Sequence, residues 1–134
     1  MRQPSTMGLT GAILAFAVLV AGTAHADPGW VAVAKSPSKE SLDWVAGPGR
    51  TQQDAETQAL QNCALIQRDN CSLVASGPNC AAVAWDGAQP LNHAYGAIGD
   101  TPASALNAAV AAAGPFANGP EVRCSYTSYS PGAH

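Results

Sequence analysis

Shifted by 50 residues, the chain lands on itself, and no other feature narrows its fold as much. Trp30-Val31-Ala32-Val33-Ala34 falls on Cys80-Ala81-Ala82-Val83-Ala84. With no gap, Gly49 then falls on Gly99, Thr51 on Thr101, Ala55 on Ala105, Ala59 on Ala109 and Leu60 on Val110. Alanine matches carry little weight in an alanine-rich chain. The Gly and Thr matches, at a turn and at a helix start, carry more. Two copies are too few for a solenoid, whose units are stabilised by stacked neighbours. They suit one pseudo-symmetric domain, with copies over residues 29–76 and 80–126.

Each copy has the grammar β-β-α-β. Residues 30–34 alternate small and larger apolar side chains and read as a buried strand. Pro37-Ser38-Lys39 interrupts it, residues 42–46 form a second strand, and Gly47-Pro48-Gly49 stops that one. Thr51, with Asp54 three residues on, is arranged like a capping box. Ala55, Ala59, Leu60, Cys63 and Ile66 recur at helical spacing and predict an inner face. Residues 71–75 close the unit. The second copy has strands at residues 80–85 and 94–98 with a turn at Asp86-Gly87. Its helix is capped by Thr101, has Pro102 at its first position, and turns Ala105, Leu106, Ala109 and Val110 inward. Residues 121–126 close the domain, and residues 127–134 read as a frayed tail. The fold class is therefore α+β: a single domain with a mainly antiparallel sheet and two helices, expected on one side of it.

The first 26 residues read as an export leader. Arg2 precedes an uncharged run from Gly8 to Gly22, and Ala24-His25-Ala26 is an A-x-A cleavage site. The run is 15 residues, short of the roughly 20 that span a bilayer. Cleavage after Ala26 leaves a 108-residue secreted chain with five basic and nine acidic residues. Over all 134 residues the net charge is −3, which argues against a nucleic-acid binder and gains nothing from anionic lipid. Hydrophobic residues at 47% rule out wholesale disorder. The expected location is extracellular or associated with the cell envelope.

Cys63, Cys71, Cys80 and Cys124 all lie in the mature part, and in an oxidising compartment four cysteines read as two disulfides. Metal ligation would want closely spaced thiolate or imidazole pairs, and there is no C-x-x-C or H-x3-H. The repeat suggests the pairing. Cys63–Cys71 would pin a helix end to the next strand, and Cys80–Cys124 would join the first and last strands of the second copy. Cys63–Cys80 with Cys71–Cys124, and Cys63–Cys124 with Cys71–Cys80, remain open at this stage.

The combined pattern resembles a known family. An aromatic-x-Ala-Val-Ala strand opens the domain, and a helix ends in Ala59-Leu60-x-x-Cys63. Asn70-Cys71-x-Leu73-Val74 and Cys80-Ala81-Ala82-Val83-Ala84 follow. This resembles a domain-of-unknown-function family of small secreted proteins, well represented in mycobacteria, over about Gly29 to Cys124. Ala81 stands where a Gly is usual. The resemblance implies no catalytic residues and no cofactor. Some members look like secreted effectors.

Candidate chemistry is sparse. Ser76-Gly77-Pro78 places a serine in a turn, outside any G-x-S-x-G frame. His93, with Asp86 or Asp100 nearby in sequence, is a candidate general base. Glu40, Asp43 and Asp54 could supply paired carboxylates, although no spacing fixes two of them together. Gly47 to Arg50 resembles a phosphate cradle only loosely and lacks the Gly-Lys-Thr of a P-loop. Trp30, Trp44, Trp85 and Tyr95 all lie on strands. Facing outward they make a recognition patch, and facing inward they give bulk to a core otherwise built of Ala and Val. The reading is a binding or effector module with an unidentified protein or envelope partner. A small hydrolase of envelope material is the alternative, and a cleft bringing a carboxylate within reach of His93 would favour it.

Overall fold

A computed structural model describes residues 29–127. The expected leader and nearly all of the expected tail lie outside the described residues.

Two units follow each other with the same order of elements. The first is β1 (Trp30–Lys35), β2 (Leu42–Gly47), α1 (Gln52–Gln67) and β3 (Ser72–Gly77). The second is β4 (Cys80–Trp85), β5 (Ala94–Gly99), α2 (Pro102–Ala113) and β6 (Asn118–Cys124). Each unit folds its strands into an antiparallel sheet, in the orders β2-β1-β3 and β5-β4-β6. The inner strand carries a register irregularity at the same place in both, after Val33 and after Val83.

Both inner strands are buried along their length, so each sheet needs cover on two faces. Side-chain size sorts the faces. Val31, Val33, Ala81 and Val83 join Trp44, Ala46 and Ala75 in a core between the sheets. Ala32, Ala34 and Val45 pack under Ala55, Ala59 and Cys63 of α1. Cys80, Ala82 and Ala84 pack under Ala105, Ala109 and Ala113 of α2. The layers are therefore α1, sheet, sheet, α2. The helices lie on opposite outer faces and not on one side of a single sheet, because a strand that is apolar on both faces cannot leave one of them to water.

The helices start as their sequence predicts. Thr51 Oγ1 accepts from Asp54 N at 3.1 Å, but the Asp54 carboxylate goes to Arg50, so only half of the box forms. Thr101 and Ser104 make the full reciprocal box around Pro102. The inner stripes are narrower than expected, three residues each at intervals of four. Ile66 and Val110 are exposed, since small Ala side chains let each helix approach along one ridge and leave its flanks outside.

The repeat offset also needs correction. Gly47 and Gly99 end equivalent strands, because each pairs with the first residue of its inner strand, Trp30 or Cys80. That offset is 52, while the caps Thr51 and Thr101 keep 50. The loop before β5 is longer by two residues and the turn after it is shorter by two, so the Gly49–Gly99 match is not a structural equivalence.

Two disulfides staple the layers. Cys63 and Cys71 join α1 to the start of β3, and Cys80 and Cys124 join β4 to β6 where the two residues face each other in register. The sheets meet most closely at β3 and β5. An ideal Cβ on Gly96 would lie 2.3 Å from Val74 O and 2.7 Å from Ala75 Cβ, and one on Gly77 would lie 2.7 Å from the Ile98 side chain.

Candidate functional site

The ends of β1 and β4 and the starts of β3 and β5 lie at one end of the sandwich, where three loops converge. Three carboxylates hold those loops. Asp69, between α1 and β3, accepts from Ser36 Oγ at 2.7 Å, Ser38 Oγ at 2.8 Å and Asn70 N at 2.8 Å. Hydrogen bonds from Ser36, Ser38 and Asn70 hold its carboxyl below the usual range. Glu40 accepts from Asn92 N at 2.7 Å and Asn92 Nδ2 at 3.3 Å, tying the β1–β2 loop to the β4–β5 loop. Asp86 accepts from the backbone N–H of Ala88 at 2.9 Å and of His93 at 3.0 Å, and its Oδ2 lies 3.0 Å from His93 Nδ1. The two backbone N–H groups, His93 first and then Ala88, and secondarily the imidazole, bring its carboxyl down to about 2. Ser36 and Asp86 occupy the same place in their units. Each accepts from the N–H two residues on, so one turn is built with two side-chain types.

Between β3 and β5 these loops frame a recess of about 390 Å3. Lys35, Ser36, Ser72 and His93 supply its polar lining, and Pro37, Leu73, Val74 and Ala94 its apolar wall. Both units contribute. Lys35 ends the inner strand on the face of Val31 and Val33, and is 9% exposed. Its ammonium donates to Ser36 O at 2.8 Å, and among the described residues no carboxylate lies within 4.0 Å of it. An ammonium has three donors, so one bond leaves two uncommitted. With Asp86 taking Nδ1, the ring atom of His93 left for a ligand is Nε2.

The other expected sites separate. Trp44 and Trp85 are 2% and 7% exposed and belong to the packed interior, Trp30 is half-buried, and Tyr95 is 39% exposed, so the four do not form one outward patch. Trp30 Nε1 donates to Ser76 Oγ at 2.7 Å, and Ser76 Oγ donates to Glu56. That serine joins β1, β3 and α1, and among the described residues no imidazole is bonded to it. The Arg123 guanidinium lies 5.0 Å from the Trp44 ring, joining β6 to β2 across the sandwich. Glu40, Asp43 and Asp54 hold three different partners, Asn92, Gln67 and Arg50, and do not converge. Burial pushes the Asp43 carboxyl up, against a lowering by Gln67. Asp100 accepts from Asn79 at the opposite end of β5 from His93. Gly47 to Arg50 is a turn closed by Arg50 N–H to Gly47 O at 3.2 Å. Among the described residues no three His, Cys, Asp or Glu side chains gather to hold a metal ion, and no helix is long and apolar enough to cross a membrane.

Sequence reasoning found His93 and Asp86 but missed Lys35 and Ser72. A signal existed: Lys35 closes an otherwise apolar inner strand at the position where the second unit has Trp85.

The architecture defines a disulfide-stapled α+β module of two β-β-α-β units that share a core. Residues 30–127 match the family described as "Domain of unknown function (DUF4189)", and the chain belongs to that family. No curated protein and no solved structure matches it.

Proposed function

We propose that the protein is an exported, disulfide-stabilised binding module, released from a leader at residues 1–26, that acts outside the cell or in its envelope without turning over a substrate. One observation carries this reading. The loop-end carboxylates are engaged in holding backbone and neighbouring side chains, and among the described residues Asp86 hydrogen-bonds the His93 imidazole while no serine, threonine or cysteine side chain does. The Asp86–His93 pair therefore has no nucleophile bonded to its far side. The two disulfides fit an oxidising compartment, and Cys63–Cys71 anchors the start of β3 beside the recess.

The hydrolase alternative has its own observation, the 3.0 Å Asp86–His93 contact, which resembles the base-orienting half of a triad. Purified envelope polymer incubated with the oxidised protein separates the two. Saturable retention, with the polymer's mass spectrum unchanged, supports the binding module. Bond cleavage that His93→Ala abolishes would replace it with the hydrolase.

A further inference from the structure

We propose that the recess between β3 and β5 binds a small organic carboxylate, with Lys35 as its ionic anchor and an apolar wall for its body. The inference deepens the binding-module reading and rests on it.

Charge decides the ligand class. Lys35 is nine-tenths buried as a residue, and its ammonium makes one hydrogen bond, to Ser36 O. The acidic groups around it are committed elsewhere: Asp69 to Ser36 and Ser38, Glu40 to Asn92, Asp86 to its loop and to His93, and Asp43 to Gln67. Lys39 and Arg68, the other cations of this end, are exposed and outside the lining, and Lys39 donates to Gln67 O. Lys35 is thus the one cation among the lining residues, with no carboxylate partner, and the ionised Asp86 lies behind His93, outside the lining. A monoanion matches the Lys35 charge one for one, whereas a phosphate dianion adds a second negative charge near Asp86. A carboxylate accepts the free ammonium donors. Ser72 and His93 Nε2 are left to meet a polar group on the ligand, and Pro37, Leu73, Val74 and Ala94 cover an apolar chain. A volume of about 390 Å3 admits a branched short-chain acid or the carboxyl terminus of a peptide.

The test is a titration of the 15N-labelled, oxidised protein with isovalerate, with inorganic phosphate in parallel. Saturable amide shifts confined to Ser36, residues 72–74 and residues 93–94 are expected, with phosphate binding more weakly. Lys35→Met should weaken isovalerate about tenfold or more, the scale of a lost charged hydrogen bond. Lys39→Met, an exposed cation nearby, should leave it unchanged. Should Lys35→Met fail to fold, Ser72→Leu, at an exposed position, fills the recess and should abolish the shifts without touching the buried charge. The proposal is overturned by phosphate binding more tightly than isovalerate, by equal losses in Lys35→Met and Lys39→Met, or by shifts that persist in Ser72→Leu. It also falls if isovalerate fails to bind while the envelope polymer is still retained unchanged, an outcome that leaves the binding module standing. Cleavage of that polymer would overturn both.

Discussion

Gly96→Ala tests the packing of the two sheets directly. The new methyl would lie 2.3 Å from Val74 O and 2.7 Å from Ala75 Cβ, short of the 3.4 Å of ordinary contact by about 1 Å at the closer atom. Both obstacles belong to a strand fixed by β1 pairing, so neither can swing aside as a long side chain would. β5 has to retreat from β3, loosening the core that Val83 and Ala75 share. Overpacking of this kind costs about 1–3 kcal/mol. In a domain of this size that is a fall of roughly 5 to 20 °C in Tm. Thermal unfolding by circular dichroism, with both disulfides intact, measures it. Gly49→Ala is the matched control, since nothing lies within 4 Å of its added Cβ. It should be neutral or stabilise by up to about 1 kcal/mol through the unfolded chain. A Gly96→Ala Tm within about 2 °C of the parent, or equal to that of Gly49→Ala, would refute the close approach of the sheets.

Further outcomes follow from the same structure. Replacing Cys80 and Cys124 by Ser should cost about 4 kcal/mol, against about 2.5 kcal/mol for Cys63 and Cys71, because the first pair closes the longer loop; denaturant midpoints of the two double variants give the order. Thr101→Ala removes the hydroxyl that caps α2 and should cost about 1 kcal/mol, read as a fall of roughly 4–8 °C in Tm. The Asp86 carboxyl is lowered from 3.8 to about 2 on folding, so its contribution is present above pH 3.8 and is lost as pH falls through about 2. Asp86→Asn should therefore flatten the decline in stability over that window, measured as Tm against pH. Asp43 has the opposite sign. Its raised carboxyl makes stability fall as pH climbs above 3.8, so Asp43→Asn should raise Tm at neutral pH and lose that advantage in acid.

The order of elements is legible in the chain because its signals are local. Thr51 and Thr101 cap helices through bonds that span three residues, and glycines and prolines end strands where their own backbone demands it. The cysteine pairing is nearly as local, once Cys63 and Cys71 are seen as a helix end and the strand after it. The two disulfides these four cysteines form fit an oxidising compartment.

Other properties depend on which surfaces meet. An inner strand that is apolar on both faces does not say which face takes a helix, and only the joint burial of both units puts Val31 and Val83 between the sheets and Ala32 and Ala82 beneath the helices. For the same reason Trp44 and Trp85 go inward while Tyr95, on an edge strand, stays partly outside. Gly96 and Gly49 look alike in sequence, and only the distance to β3 separates them. Lys35 and His93 lie 58 positions apart in different units. Their shared recess exists because the two sheets stack, and stacking is set by the total area two faces can bury together, a sum that no short stretch of chain contains.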